Sequence, residues 1–143
     1  MLTSIERYEH FIYTISERFP SIRKSTLVFI RRGVSIGILQ GQLFFPNDIV
    51  LRVTEALTFA AGHGRITRYS YEVWRGSEKL YWYDSQPHPD DPSLASTHPH
   101  HKHIPPDIKH HRVPAPGLSF TRSNLPFLIQ EIEETLLRDS AVR

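Results

Sequence analysis

With 143 residues, 39% of them hydrophobic and 22% charged, the chain is long enough for one domain with its own core and short for two, so residues 1–143 are read as a single domain. No apolar run nears the ~18 to 20 residues of a membrane span, and Glu6, Glu9 and His10 interrupt the N-terminus where a signal peptide would be apolar, so no membrane role and a cytoplasmic location are expected. The absence of cysteine excludes disulfides, thiolate zinc sites and a cysteine nucleophile, while the formal net charge of +2 is unevenly spread: residues 98–122 carry Lys102, Lys109, Arg112 and Arg122 against Asp107 alone.

In chain order, residues 3–19 predict an amphipathic helix. Ile5, Tyr8, Phe11, Ile12, Ile15 and Phe19 recur at helical spacing, Thr3 or Ser4 offers an N-cap oxygen, and Pro20 ends the run. Thr26 to Ile30 is β-branched and aromatic, Gly33 gives a turn, and Val34 to Leu39 begins a second strand; Gly41 permits a bend before Leu43 to Phe45. Pro46, Asn47 and Asp48 form a turn. Ile49 to Phe59 and Arg65 to Trp74 are then partner strands joined at Gly62-His-Gly64, with Ile66, Arg68, Ser70, Glu72 and Trp74 on one face of the second and Thr67, Tyr69, Tyr71 and Val73 on the other. Gly76 and Ser77 turn the chain into Leu80 to Asp84, and such short turns imply antiparallel pairing. Residues 86–97 are a polar loop. Residues 124–138 predict a last helix, with Pro126 in its first turn and a stripe of Leu125, Leu128, Ile129, Ile132, Leu136 and Leu137. The expected fold is α+β: a single two-layer domain, in which an antiparallel sheet of about five strands packs against an N-terminal and a C-terminal helix on one face.

Between them lies the most unusual segment. Six of the nine histidines fall between His98 and His111, interleaved with Lys102, Lys109 and Arg112. Histidine exchanges protons near neutrality, so such a cluster can bind phosphate, act as general acid or base, or ligate a metal. Pro99, Pro105, Pro106 and Pro114 argue for a loop rather than a helix or strand, and the plainest alternative is a solvated loop. In an extended chain His98 and His100 share one side and His101 and His103 the other, and no His-Glu-x-x-His spacing exists, so neither metal nor cofactor is expected.

Gly41-Gln-Leu43-Phe44, Tyr69-Ser-Tyr71, Leu80-Tyr-Trp-Tyr83-Asp84, Pro87-His88 and His98-Pro-His-His-Lys-His103 occur in an order that resembles the TumE family of toxin–antitoxin toxins. Members show a Tyr-x-Tyr strand, an aromatic-Tyr-Asp-Asn-x-Pro-His segment and a Pro-His-His-Lys-His box before a C-terminal helix. The likeness covers roughly residues 34–137. Ser85 stands where asparagine is usual, which would loosen a turn, and Glu72 where histidine is common, which speaks against a catalytic role there. The resemblance implies a small bacterial growth-inhibiting toxin with a cognate antitoxin protein as partner; it carries no mechanism with it.

If the basic segment folds against the end of the Leu80–Asp84 strand, one pocket would hold tyrosines, a carboxylate and imidazoles. Metal-independent RNA cleavage needs a base for the ribose 2′-hydroxyl, an acid for the leaving 5′-oxygen and a cation for the phosphorane. The candidate catalytic residues are therefore His101, His103, His88, Tyr71, Tyr83 and Asp84, with Lys102, Lys109, Arg112, His98 and His100 binding phosphate. Against this, strand tyrosines commonly serve only packing, and Asp84 could merely cap a turn. A non-enzymatic nucleic-acid or protein-binding module is the alternative class. A nucleotidyl or group-transfer toxin is a third, although no Gly-rich phosphate loop or Asp-x-Asp pair is present.

Overall fold

A computed structural model describes residues 1–138; residues 139–143 of the span expected to form one domain lie outside the described residues. Helices α1 (Ile5–Tyr13) and α2 (Ile15–Arg18) precede eight strands: β1 (Lys24–Ser25), β2 (Val28–Arg31), β3 (Ile36–Phe44), β4 (Ile49–Ala60), β5 (His63–Arg75), β6 (Glu78–Asp84), β7 (His101–His103) and β8 (Arg112–Pro114). Helix α3 (Leu125–Ile132) follows and runs on as a wider π-helical turn over Glu133–Leu137. All pairings are antiparallel, in the order β1-β3-β4-β5-β6-β7-β8, with β2 also on β3.

The strong periodicities account for the layering. Along β4 the residues Ile49, Leu51, Val53, Glu55, Leu57 and Phe59 are buried, while Arg52, Thr54, Thr58 and Ala60 are exposed. The buried row faces Ile5, Tyr8 and Ile12 of α1 and Leu125, Leu128, Ile129 and Ile132 of α3, so both helices cover the same face and leave the other to solvent. No helix among the described residues is long and apolar enough to cross a membrane.

Several expectations are corrected. The sheet has eight strands rather than about five. The first helix breaks at Thr14, whose hydroxyl donates to the His10 carbonyl at 2.7 Å and whose backbone leaves the helical region. In β5 the bulge at Thr67 carries Ile66 onto the buried face beside Tyr69 and Tyr71, because one extra residue reverses the alternation. The histidine segment is not simply a loop. Pro99, Pro105 and Pro106 flank β7 without interrupting it, so its backbone N–H groups remain able to join the ladder, and Pro114 ends the edge strand β8.

Gly41 lies where β3 changes partner from β2 to β1. It has φ +139°, and a Cβ there would come within 2.5 Å of the Thr26 carbonyl oxygen and 2.8 Å of Leu27 Cα. Gly41→Ala is therefore expected to cost roughly 3 kcal/mol or more. An unchanged urea midpoint would show that the two strands can move apart.

Candidate functional site

Residues facing one another across an antiparallel ladder share a sheet face. Asp84 faces His101, and Trp82 faces His103, which faces Arg112; all of these lie on the face away from the helices. Tyr83 faces both Tyr71 and Lys102, and these three lie on the helix side. The chain thus splits its aromatic and basic residues between two faces.

On the open side the centre is Asp84. Its Oδ1 lies 2.9 Å from His101 Nε2 and accepts the Gln86 N–H at 2.9 Å; its Oδ2 lies 3.2 Å from His103 Nε2 and accepts Trp82 Nε1–H at 2.9 Å. The two imidazole Nε2 atoms are 3.1 Å apart. At its other nitrogen each ring meets a backbone carbonyl, His101 Nδ1 that of Pro99 at 2.9 Å and His103 Nδ1 that of Ile108 at 3.0 Å. A carbonyl can only accept, so both Nδ1 atoms carry hydrogen and both Nε2 atoms turn toward Asp84.

His101 and His103 are only 1% and 4% exposed, well below the usual exposure of a histidine. Part of the cover is local: His103 stacks on Trp82 with ring centres 3.8 Å apart, and His88 meets His101 edge-on at 4.8 Å. Leu94, in the short 3-10 turn Pro92–Thr97, is buried, and Thr97 anchors that turn by donating to the His100 carbonyl at 2.7 Å and accepting Ala115 N–H at 3.1 Å. Burial pushes the Asp84 pKa up, yet hydrogen bonds from His101, His103 and Trp82 outweigh it and hold the carboxylate well below its ordinary range. Burial lowers the His101 pKa, and the Asp84 and Pro99 contacts raise it further than that. His88 is held below its ordinary pKa by burial and by Arg112, whose Nη1 lies 2.9 Å from its ring nitrogens. A cleft of about 620 Å3 opens beside Asp84, lined also by Thr67, Arg68, Ser70, Gln86 and Pro99.

Of the residues singled out from the sequence, the structure brings together Asp84, His101 and His103, with His88 and Arg112 at their margin. It does not bring Tyr71, Tyr83 or Lys102 to them. Tyr83 donates to Glu131 at 2.8 Å, and Lys102 pairs with the same carboxylate at 3.1 Å, so this lysine is already neutralised. His100 is turned away from the trio, bonding Tyr69 at 2.5 Å and packing on Phe120. His98 and Lys109 are exposed outside the cluster. Ser85 ties the end of β6 to β5 rather than loosening a turn, its hydroxyl accepting Tyr69 N–H at 2.9 Å. Glu72 lies in ion pairs with Arg52 and Lys79, apart from the centre.

Sequence reasoning passed over Trp82, although alternation already placed it with Asp84. It also passed over Glu55, fully buried on the helix side, where Tyr8 and Tyr71 both donate to its carboxylate. A glutamate in register with five apolar residues of β4 was the available signal.

Residues 10–136 match the model of a family described as Toxin TumE. No curated protein and no solved structure matches the chain.

Proposed function

Since the chain belongs to the TumE toxin family, we propose that it is the growth-inhibiting half of a bacterial toxin–antitoxin pair. In this reading residues 1–143 act as one cytoplasmic domain, neutralised by a cognate antitoxin protein, and cut RNA at the centre formed by Asp84, His101 and His103. One observation carries it: two buried imidazoles and a carboxylate turn their acceptor atoms on a single point, beside a cleft on the open face of the sheet.

That face suits a single strand of nucleic acid. Arg68 borders the cleft and has no ion-pair partner among the described residues, so it can meet a phosphate, and half-buried Trp74 and Trp82 lie on the same face. Arg52 and Lys79 lie against these rings at 4.4 and 4.1 Å. A phosphodiester drawn to the centre needs a proton acceptor for its nucleophile, a donor for the leaving oxygen and positive charge for the phosphorane. Arg112 is the permanent cation beside the trio, and His88, whose pKa burial and Arg112 lower, is the neighbouring imidazole that would take the proton of the nucleophile. The trio answers the remaining charge once its acceptor atoms share a cation.

Inducing the chain alone and mapping RNA ends is the direct test. New internal ends should appear within minutes, before viability falls. Growth arrest with RNA intact throughout would remove the nuclease reading and favour a binding module, in which the same face holds RNA without forming product.

A further inference from the structure

The acceptor atoms of the trio are spaced as the ligands of one metal ion are. Bonds of about 2.0–2.2 Å, at tetrahedral or octahedral angles, separate neighbouring ligand atoms by roughly 3.0–3.5 Å. His101 Nε2 and His103 Nε2 are 3.1 Å apart, and they lie 2.9 and 3.2 Å from the two oxygens of Asp84. With one atom taken from each residue the three lie within 4.8 Å of one another, the shorter distances using both Asp84 oxygens, and no other such group occurs among the described residues.

The surroundings point the same way. A histidine that binds metal through one nitrogen generally donates the other N–H to a carbonyl or carboxylate, which fixes the ring and its tautomer. Both rings do so here, to Pro99 and Ile108, and Asp84 is itself held by Trp82 Nε1 and the Gln86 N–H. Burial adds an energetic reason. With Nδ1 carrying the hydrogen on both rings, each Nε2 needs a proton or a metal cation between it and the Asp84 carboxylate, away from water. A shared proton relieves this only partly, since it can lie on one nitrogen at a time. A divalent ion satisfies all three atoms at once, and the cleft beside Asp84 is the side from which water or a phosphate would approach.

We propose that Asp84, His101 and His103 hold one divalent first-row transition-metal ion, a two-histidine, one-carboxylate site with open positions. The site stands on its own geometry, whereas its role in cutting RNA rests on the function proposed above. This departs from the expectation of metal-independent cleavage. In an extended chain two histidines offer only two ligands, and the third is supplied by β6 through the Asp84–His101 pairing. The ion would neutralise the charge of a bound phosphodiester and of the phosphorane, leaving proton transfer to His88 and water.

The test is titration of chelator-stripped, desalted full-length protein with Co2+ followed by visible absorption, and with Zn2+ by calorimetry. One ion per chain is expected, with the cobalt spectrum of a nitrogen–oxygen site. Asp84→Asn, which keeps the shape of the side chain, and His103→Ala should each weaken binding at least about 100-fold; Lys102→Ala, on the opposite face, should leave it unchanged. Absence of stoichiometric binding to the wild type, or equal binding by Asp84→Asn and His103→Ala, would overturn the site. RNA cutting undiminished in chelator, with no Co2+ spectrum, refutes the metal and leaves the nuclease. One tight ion with no RNA product supports the metal site and refutes the nuclease.

Discussion

Replacing His101 or His103 by alanine is expected to abolish growth arrest, with a loss of at least about 100-fold in any RNA-cutting rate. Both rings are buried at the proposed reacting point and bonded at both nitrogens, so no neighbouring side chain can take their place. Lysine at either position is the informative companion. It restores a positive charge but can neither exchange a proton near neutrality nor present a neutral imidazole nitrogen, so the lysine variants should be inactive as well. Tyr83→Phe is the contrast. Tyr83 lies across the sheet from the centre and serves Glu131, so its loss should leave toxicity nearly intact. Circular dichroism and a cooperative melt must show each variant folded. Full toxicity in the folded lysine variants would reduce the histidines to an electrostatic surface, and loss of toxicity in Tyr83→Phe would mean that chemistry reaches the helix side.

The second large effect concerns stability rather than toxicity, and it comes from Glu55. Burial pushes its pKa from the ordinary 4.5 up to about 7, against the lowering effect of the hydrogen bonds donated by Tyr71 and Tyr8. Below pH 4.5 the group is protonated whether the chain is folded or not. As pH rises from there through 7, the unfolded chain releases the proton first and the folded state loses stability relative to it. The difference corresponds to roughly 3 kcal/mol, a large part of the net stability of a small domain. Glu55→Gln removes the ionisation while keeping the size and one acceptor. It should therefore gain on the wild type by about that amount between pH 4.5 and 8, as read from urea midpoints at each pH. Parallel pH profiles for the two proteins would show that Glu55 ionises normally in the folded chain. Glu55→Ala differs in kind, because it leaves both tyrosine hydroxyls buried without their acceptor and should destabilise at every pH.

What the sequence by itself determined is whatever repeats over many residues. The helical stripes of α1 and α3, the alternation along β4 and the tight turns at Pro46–Asp48, at Gly62 and at Gly76–Ser77 each specify their own element, because a side-chain period and a turn conformation are local properties, although the middle turn closes at Ala61–Gly62 and leaves His63 and Gly64 in β5. The same local chemistry marked Asp84, His101 and His103 as reactive residue types. Strands of two or three residues have no period to recognise, so β1, β7 and β8 exist only through the strands they pair with, and the extra residue at Thr67 is a matter of register across the sheet. Register also decided the site. Pairing His101 with Asp84 and His103 with Trp82 turned those four side chains to the open face, and by the alternation of the strands sent Lys102 and Tyr83 through to the other. A residue list contains both sets side by side; only the ladder between β6 and β7 separates the three groups that converge from the lysine and tyrosines that pack.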